Sequence, residues 1–251
     1  MKAMPLSIRE LYAYALAEGE GVGTAYEYYV KRRVLAPLLR TLPAAASVLV
    51  AGLPEKYGTS LDLVLAASER GARTLLVDER AGAIERARTA IDTATRAGKL
   101  PAAKVELQAI PSLADLSALP SHDVVLSCEV VQRLSGDAQR RYVQAIGELA
   151  PHGIAFVPNS ENRSHLAISG LSGLDRRSLR ALFESRPVRT GYVDLPPFPP
   201  GIKRSEAQRA RASTGLTEAV AMRALEIYSV SERLLPSRVK RRFAHIVYAS
   251  W

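Results

Sequence analysis

Residues 48–66 read VLVAGLPEKYGTSLDLVLA, an apolar run followed by a loop with two glycines and an amphipathic stretch. The run shows no alternation of polar and apolar residues, which is typical of a strand covered on both faces. Gly52 follows it directly, where the absence of a β-carbon lets another group approach the backbone closely. Five residues separate Gly52 from Gly58, so the tight Gly-x-Gly turn is absent. The stretch predicts a strand–loop–helix unit with a lengthened loop.

Strand-like and helix-like segments alternate on both sides of this unit. Helical spacing extends from Ile8 to Thr41 before it, and TSLDLVLAASERGA is predicted as the helix that follows the first strand. Six further strands are predicted: RTLLVDE, AKVELQAI, HDVVLSCEV, GIAFVPN, RTGYVDL and RRFAHIVYAS. Alternation over this length predicts an α/β fold with one doubly wound, mainly parallel, seven-stranded sheet.

The composition fits one cored globular chain. It has 251 residues, 47% hydrophobic and 24% charged, with one cysteine. A single cysteine excludes a disulfide framework and a cysteine-rich metal site and fits a reducing compartment, so we expect no metal. The segment before residue 22 carries charges where a signal peptide needs an apolar core, and no apolar run is long enough to span a membrane. A soluble cytoplasmic protein is the simplest interpretation.

The net charge of +9 is concentrated near the end of the chain. Residues 201–251 contain ten Lys/Arg and four Asp/Glu, and the densest basic stretch is SRVKRR, residues 237–242. This stretch is interpreted as a helix end whose cations complement the helix dipole before the last strand. A nucleic-acid-binding surface is the less favoured alternative, because no aromatic residues are interleaved with the cations.

Ligands of open α/β sheets bind at the carboxyl ends of the strands, so residues that follow strands are the candidates for a site. Asp78 ends the second strand, about as far from Gly52 as a ribose-binding carboxylate lies from its glycine loop. The alternative for Asp78 is a helix cap or a solvated turn. Cys128 follows the fourth strand, and its favoured interpretation is a small buried residue.

The order of elements resembles the class I S-adenosylmethionine-dependent methyltransferases. The segments LLVDERAGAIERAR (75–88) and HDVVLSCEVVQRL (122–134) are similar to that family's second and fourth strands with their following helices. The resemblance covers roughly Val48 to Trp251 and implies that the last strand is antiparallel. It also implies an N-terminal helical lid, residues 1–44, and a Rossmann-like domain, residues 45–251, with a helical insertion at about 198–242 before the last strand.

The resemblance further implies S-adenosylmethionine as cofactor and two sets of site residues. The expected cofactor-binding residues are Gly52, Leu53, Pro54, Lys56, Gly58, Asp78, Glu79, Ser112, Leu113, Ser127, Cys128 and Glu129. The expected substrate-binding residues are Tyr26, Tyr29, Asn159, Asn162, His165 and Tyr192. His165, in the polar stretch VPNSENRSHLAISGL, is the candidate general base, whereas His245 is interpreted as a half-buried structural histidine.

Two features depart from that family. The glycine loop is lengthened, and the acidic residue that usually precedes it is replaced by Val50 or Ala51. The methyl acceptor is expected to be a small or lipid-like molecule enclosed by the helical additions. The alternatives are an RNA methyltransferase, favoured by the basic end of the chain, and a non-catalytic Rossmann-like domain that serves in assembly, favoured by the altered loop.

Overall fold

The computed structural model describes residues 6–43, 45–55, 58–100, 104–184, 186–197 and 215–251. Lys56 and residues 198–214 of the predicted insertion lie outside these ranges. The strands are β1 (Ser47–Ala51), β2 (Arg73–Asp78), β3 (Val105–Ala109), β4 (Val124–Cys128), β5 (His152–Pro158), β6 (Arg189–Val193) and β7 (Ile246–Ser250).

The helices fall between the strands and before the first one. They are α1 (Ile8–Ala17), α2 (Val22–Arg40), α3 (Leu61–Ser68), α4 (Ala81–Arg96), α5 (Gly136–Glu148), α6 (Arg163–Ser169), α7 (Arg176–Leu182), α8 (Leu216–Leu234) and α9 (Ser237–Phe243). Short 3-10 turns follow β3 and β4, at Leu113–Ala118 and Val131–Arg133. Within the described ranges, none of the helices combines the length and apolar character that a bilayer crossing requires.

The seven strands form one sheet in the order β3-β2-β1-β4-β5-β7-β6. Strands β1 to β5 pair in parallel, and β7 lies antiparallel between β5 and β6. This confirms the predicted doubly wound, mainly parallel sheet with an antiparallel last strand. The chain order reverses between β1 and β4, which places the switch point beside the loop after β1.

Both faces of the sheet are covered. Val48 and Val50 pack into a core with α1 to α4, whereas Leu49 and Ala51 pack on the opposite face with α5 and α7. Successive residues of a strand point to opposite faces, so every residue of β1 after Ser47 is buried. The unbroken apolar runs of the central strands follow from this two-sided burial.

The N-terminal helices belong to the main core. Ser7 caps α1 in a capping box with Glu10, and the backbone N–H of Ile8 donates to Glu226 Oε1 of α8 at 2.8 Å. The Tyr26 hydroxyl of α2 lies 2.7 Å from Glu232 Oε2, also on α8. Helices α1, α2 and α8 therefore cover one face of the sheet together. Their function as a lid stays a prediction.

The basic stretch forms the end of a helix, as its favoured interpretation predicted. Helix α9 carries Lys240, Arg241 and Arg242 in its last turn, and β7 begins three residues after it ends. Helices α8 and α9 supply the helical part of the predicted insertion within the described residues. The stretch RSEAQRARAST (204–214) lies outside them.

The end of the chain is fastened to β5 by a contact that leaves no room for a side chain at Gly153. The backbones of Gly153 and Trp251 exchange hydrogen bonds of 3.2 and 3.1 Å. A β-carbon at Gly153 would lie 2.1 Å from Trp251 Cζ2. The Trp251 ring also packs on Phe183, with the ring centroids 5.2 Å apart.

We expect Gly153→Ala to lower the free energy of unfolding by about 1 to 3 kcal/mol, the usual cost of overpacking, because Trp251 must leave its place. Urea unfolding followed by circular dichroism measures this change. Gly82→Ala on α4 is the matched control, since the nearest atom to its new β-carbon lies 3.9 Å away. Equal stability of the two variants would contradict this account of the chain end.

Candidate functional site

Strained backbone marks the edge of the sheet where the parallel strands end. Four described residues other than glycine have positive φ, and three of them lie at this edge: Ser60 before α3, Glu129 after β4 and Asp194 after β6, at 58°, 55° and 69°. Such conformations cost a non-glycine residue about 1 to 3 kcal/mol and concentrate at functional sites. The carboxyl edge is therefore the candidate site.

Asp78 is fully buried at the end of β2 and accepts hydrogen bonds from both sides. The backbone N–H of Leu53 donates to Oδ2 at 2.8 Å, and the Arg80 backbone and side chain donate at 2.7 to 3.0 Å. Arg133, which follows β4, donates to Oδ2 at 2.9 Å. Burial alone raises the pKa of Asp78, but the hydrogen bonds from Arg80 and Leu53 hold it below its ordinary value.

These contacts decide what Asp78 can do. A carboxylate offers about four lone-pair positions, and five donors from this chain already reach them. A buried, fully bonded carboxylate excludes the solvated-turn alternative. Ribose binding by Asp78, which stays a prediction, requires a donor to withdraw. Arg80 is the more accessible of the two arginines, with its side chain 31% exposed against 9% for Arg133.

Glu79 is bound in the same network. Its Oε1 accepts from Arg133 and its Oε2 from the backbone N–H of Leu113, each at 3.1 Å. Arg80 also donates to the carbonyls of Leu53 and Pro54 at 2.8 and 3.1 Å. Asp78, Glu79 and the two arginines thus fasten together the loops that follow β1, β2, β3 and β4.

Gly52 has φ of 83°, as a turn directly after β1 requires. A β-carbon there would lie 2.7 Å from Val130 Cγ2 and 3.2 Å from Leu113 Cδ1. The space in front of Gly52 is therefore filled by side chains of the protein. The close approach expected at Gly52 is thus made by Val130 and Leu113, and a contact of its backbone with the cofactor stays a prediction.

Most other expected cofactor-binding side chains are used within the fold. Ser127 bonds the Tyr142 hydroxyl at 2.7 Å, and Ser112 caps the 3-10 turn after β3. Cys128 is buried, as its favoured interpretation predicted. Leu53, Pro54 and Leu113 are buried as well. Because these side chains are buried or already hydrogen-bonded, a ligand at the carboxyl edge of the sheet would contact these residues through their main-chain atoms.

A buried lysine of α2, Lys31, packs against the end of β4. Lys31 Nζ of α2 lies 2.8 Å from Glu27 Oε1, 3.1 Å from Asp62 Oδ2 and 3.4 Å from Cys128 Sγ. Burial alone lowers the pKa of Lys31, but Asp62, Cys128 and Glu27 raise it well above its ordinary value. A charged ammonium group is thus held under the site.

Acidic groups outnumber this lysine. Glu18, at the end of α1, accepts from the Thr59 and Leu61 backbone N–H groups at 2.7 and 3.1 Å, and burial raises its pKa to about 7. Burial and then the nearby Glu27 raise the pKa of Glu129 to about 8. Glu18 Oε2, Asp62 Oδ1 and Glu129 Oε2 are buried and accept no hydrogen bond from the residues that the structure describes. We call Glu18, Glu27, Asp62 and Glu129 the acidic pocket.

The unbonded oxygens of the acidic pocket bear on the expected cofactor. A sulfonium or ammonium group offers the positive charge that these oxygens lack, so the pocket fits the cationic part of S-adenosylmethionine. Asp78, in its present ion pairs, does not fit the ribose without rearrangement. Among the described residues, no three His, Cys, Asp or Glu side chains are arranged to hold a metal ion.

Two histidines lie together beside the acidic pocket. The His165 ring of α6 stacks on the His245 ring at a centroid distance of 3.9 Å, and His245 Nδ1 lies 2.9 Å from Asp194 Oδ2. Burial and then His245 lower the pKa of His165 to about 4. Burial also lowers the pKa of His245, but Asp194 more than offsets this and the net shift is upward.

The other expected substrate-binding residues are largely committed to the fold. The Asn159 and Asn162 amides donate to carbonyls at the end of α9, at 2.8 to 2.9 Å for Arg241, Ala244 and Phe243. Tyr192 donates to Glu161 at 2.9 Å. Tyr26 is buried against α8, while Tyr29 is half-buried on the same helix, α2. Of this set, His165 stacks on the ring of His245, and the backbone N–H of Asn159 donates to the His245 carbonyl at 2.8 Å.

Sequence reasoning missed Lys31, Arg80 and Arg133. A local signal existed for Arg80, because an arginine two residues after a strand-end aspartate can fold back onto it. Lys31 and Arg133 meet their partners across 31 and 55 residues of chain. A single sequence carries no signal for such pairs.

Comparison with solved structures shows which fold this is. A SAM-dependent methyltransferase from Archaeoglobus fulgidus matches over 88% of this chain and 91% of its own, at 14% identity and a TM-score of 0.52. Magnesium protoporphyrin IX methyltransferase from Synechocystis PCC 6803, with bound SAH, matches over 70% and 82%, at 13% identity and a TM-score of 0.48. No protein-family model and no curated protein matches the sequence. The fold is that of the class I SAM-dependent methyltransferases.

Asp78→Asn removes the charge that two arginines share in a buried setting. We expect the free energy of unfolding at pH 7 to fall by about 3 kcal/mol. Because the folded pKa of Asp78 is depressed, its contribution is fully present above its ordinary pKa of about 4 and is lost as the pH falls below that value. Urea unfolding at pH 7 and at pH 3 should therefore show a difference between wild type and variant that shrinks in acid.

The control for Asp78 is Asp137→Asn, whose side chain is 84% exposed in an ion pair with Arg140. It should cost at most about 1 kcal/mol. A loss in Asp78→Asn no larger than in this control would show that the buried network does not hold the edge.

The two stacked histidines, His165 and His245, should have well-separated pKa values. Histidine signals followed by NMR should give His165 a pKa of about 4 and His245 one above its ordinary value. In Asp194→Asn, the pKa of His245 should drop by about one unit or more, because the partner charge that favours the imidazolium is gone. His152, exposed at the start of β5, is the internal control. An unchanged pKa of His245 would refute the pairing.

Proposed function

We propose that this protein is an S-adenosylmethionine-dependent methyltransferase that acts on a small or lipid-like acceptor. The observation that carries the proposal is the acidic pocket, which has buried, unbonded carboxylate oxygens at the carboxyl edge of a sheet with the class I methyltransferase fold. Buried carboxylates without partners are costly, and a cationic ligand removes that cost. The cofactor of this fold is such a cation.

When bound, S-adenosylmethionine supplies an activated methyl group. The chain must therefore bind the cofactor and the acceptor, orient them for transfer and exclude water from the site. Glu129 directly follows β4, and Asp62 lies in the first turn of α3. Both carboxylates would offset the positive charge of the cofactor. The backbone of the loop after β1 is held in place by Asp78 and Arg80. The stretch of that loop that includes Lys56 lies outside the described residues, and its role as a cofactor ligand stays a prediction.

Proton removal from the acceptor is assigned to the His245–Asp194 pair. Asp194 engages Nδ1 of His245 and leaves Nε2 to exchange a proton. The carboxylate stabilises the imidazolium that forms when His245 accepts that proton. His165, the base expected from the sequence, is the weaker base of the two because its pKa lies near 4. Its stacked ring holds His245 from one face.

One observation favours the non-catalytic alternative. Asp78, the expected ribose ligand, is saturated by donors from the chain, and a fold that binds no cofactor needs no free carboxylate there. The RNA alternative is supported by the exposed cations at the end of α9. Neither alternative explains why Glu18, Asp62 and Glu129 each keep a buried carboxylate oxygen without a hydrogen-bond partner among the described residues.

Calorimetric titration with S-adenosylmethionine and S-adenosylhomocysteine tests the proposal. We expect both ligands to bind with one site per chain. Absence of binding for both would overturn the transferase proposal and leave the assembly alternative. Binding of the cofactor together with methylation of an RNA but of no small molecule would replace the acceptor class.

Glu129 should make binding of the sulfonium ligand dependent on pH. With a folded pKa of about 8, Glu129 is largely neutral at pH 7 and must lose a proton to face a cation. The affinity for S-adenosylmethionine should therefore rise from pH 6 to pH 8.5, by up to about tenfold per unit, relative to that for S-adenosylhomocysteine, which lacks the charge. Calorimetry over this range measures the ratio.

Glu129→Gln mimics the neutral form and should flatten this pH dependence while leaving the chain folded. Glu148→Gln, on the exposed side of α5, is the matched control and should behave as wild type. The assignment of Glu129 is wrong if the ratio of the two affinities stays constant with pH in the wild type.

A further inference from the structure

A cavity lies between the β5-β7-β6 face of the sheet and helices α2 and α8, and none of the residues of the acidic pocket lines it. Its volume is about 990 Å³. Ile154, Tyr248 and Trp251 from the sheet side, and Val34 and Leu38 from α2, supply an apolar lining. A cavity of this size accommodates one ligand of lipid or drug size. We call it the α2–α8 groove.

Four cationic side chains line the same groove: Arg33, Arg189, Arg233 and Lys240. Arg33 donates to the Ser229 hydroxyl, and Lys240 Nζ donates to the Arg233 carbonyl at 2.8 Å. Among the side chains that the structure describes, no carboxylate lies within salt-bridge distance of any of the four. Arg33 and Lys240 are half-buried, whereas Arg189 and Arg233 are exposed. Because a partly buried arginine is usually paired, Arg33 lacks its usual counter-charge.

Glu232 is the acidic residue that lines the groove, and it is already committed. Its Oε2 accepts from the Tyr26 hydroxyl at 2.7 Å and its Oε1 from the Asp194 backbone N–H at 3.1 Å. Burial raises the pKa of Glu232, which weakens its charge further. Burial and the neighbouring Arg233 in turn lower the pKa of Arg33. The groove therefore keeps an excess of positive charge beside an apolar lining.

We propose that the α2–α8 groove binds an amphipathic anion: a single aliphatic chain that carries a carboxylate or phosphate group. The chain would lie on Val34, Leu38 and Tyr248, and the anionic group would pair with Arg33 and Arg233. Arginine is suited to both headgroups because its guanidinium forms bidentate hydrogen bonds with either. Tyr192, Tyr248 and Trp251 also line the groove and could stack on bases, so an RNA strand is the competing occupant that the test below must separate from an aliphatic anion.

The groove and the His245–Asp194 pair meet at Glu232. That carboxylate lines the groove and holds the backbone N–H of Asp194, the partner of His245. The groove and the proposed proton-transfer pair therefore share Glu232 as a common neighbour. Binding in the groove stands independently of the transferase proposal, since it needs neither cofactor nor turnover.

Trp251, the single tryptophan of the chain, lines the groove, so its fluorescence reports occupancy. The probes are dodecanoate, dodecyl phosphate and, with the opposite charge on the same chain length, dodecyltrimethylammonium. Inorganic phosphate tests the headgroup alone. We expect saturable changes with the two dodecyl anions at micromolar concentration, and none with the cation or with inorganic phosphate in the same range.

The double variant Arg33→Gln/Arg233→Gln should weaken binding of both dodecyl anions at least about tenfold, the effect of losing one charge-assisted contact. Arg140→Gln is the matched control, because Arg140 lies on α5 across the sheet and its side chain is 68% exposed. Equal binding of all three dodecyl probes, or unchanged binding by the double variant, would overturn the proposal.

Val34→Phe covers the case in which the double variant does not fold, as judged by circular dichroism. It keeps all four cations and fills the apolar lining, so it should abolish binding of the dodecyl anions. Unchanged binding by this variant would also overturn the proposal, as would a fluorescence response to a short oligoribonucleotide and to none of the dodecyl anions.

Discussion

The carboxylate of Asp78 is the interaction on which the carboxyl edge depends. One buried side chain receives the backbone N–H of Leu53 from the loop after β1, the side chain of Arg80 from its own loop, and Arg133 from the turn after β4. A lengthened glycine loop has many conformations to lose on folding. Hydrogen bonds to a charged acceptor are about twice as strong as neutral ones, and here they are shielded from water. The ion-pair network of Asp78 and Arg80 therefore holds the lengthened loop in place, where a tight Gly-x-Gly turn is absent.

The same edge holds the opposite arrangement a few residues away. Asp78 has more donors than lone pairs, while Glu129 and Asp62 each have an oxygen that receives no donor from the described part of the chain. Asp78, Asp62 and the Glu129 Oε2 atom are buried, so water does not supply the missing hydrogen bonds. The lone pairs of Asp78 are occupied by donors of this chain, whereas the acidic pocket has Lys31 as a counter-charge for Glu27 and Asp62 and still keeps carboxylate oxygens without a partner among the described residues. This contrast separates the part of the edge that builds the fold from the part that is suited to a ligand.

The fold was predictable from the sequence because its evidence is periodic and local. Unbroken apolar runs such as VLVA arise from burial on both faces, and alternation with helices then requires parallel strands. Topology also brings strand ends to one edge, so Asp78 and Glu129 could be named in advance. The partners could not, since Arg133 and Lys31 reach the site through side-chain geometry across the fold. His245 was expected to be half-buried, and it is, but its contact with Asp194 could not be predicted because that residue comes from the end of β6, 51 residues earlier in the chain.

Helix α8 connects the α2–α8 groove with the His245–Asp194 pair. Its Glu226 fastens α1, its Glu232 joins Tyr26 of α2 to the backbone of Asp194, and its Ser229 receives Arg33 at the groove. A helix with polar residues buried on its inner side is unusual, because each buried polar group must find a partner. Here the partners belong to the N-terminal helices on one side and to the end of β6 on the other. Helix α8 thus supplies residues to the groove and, through Glu232, a hydrogen bond that holds the backbone of Asp194, the partner of His245.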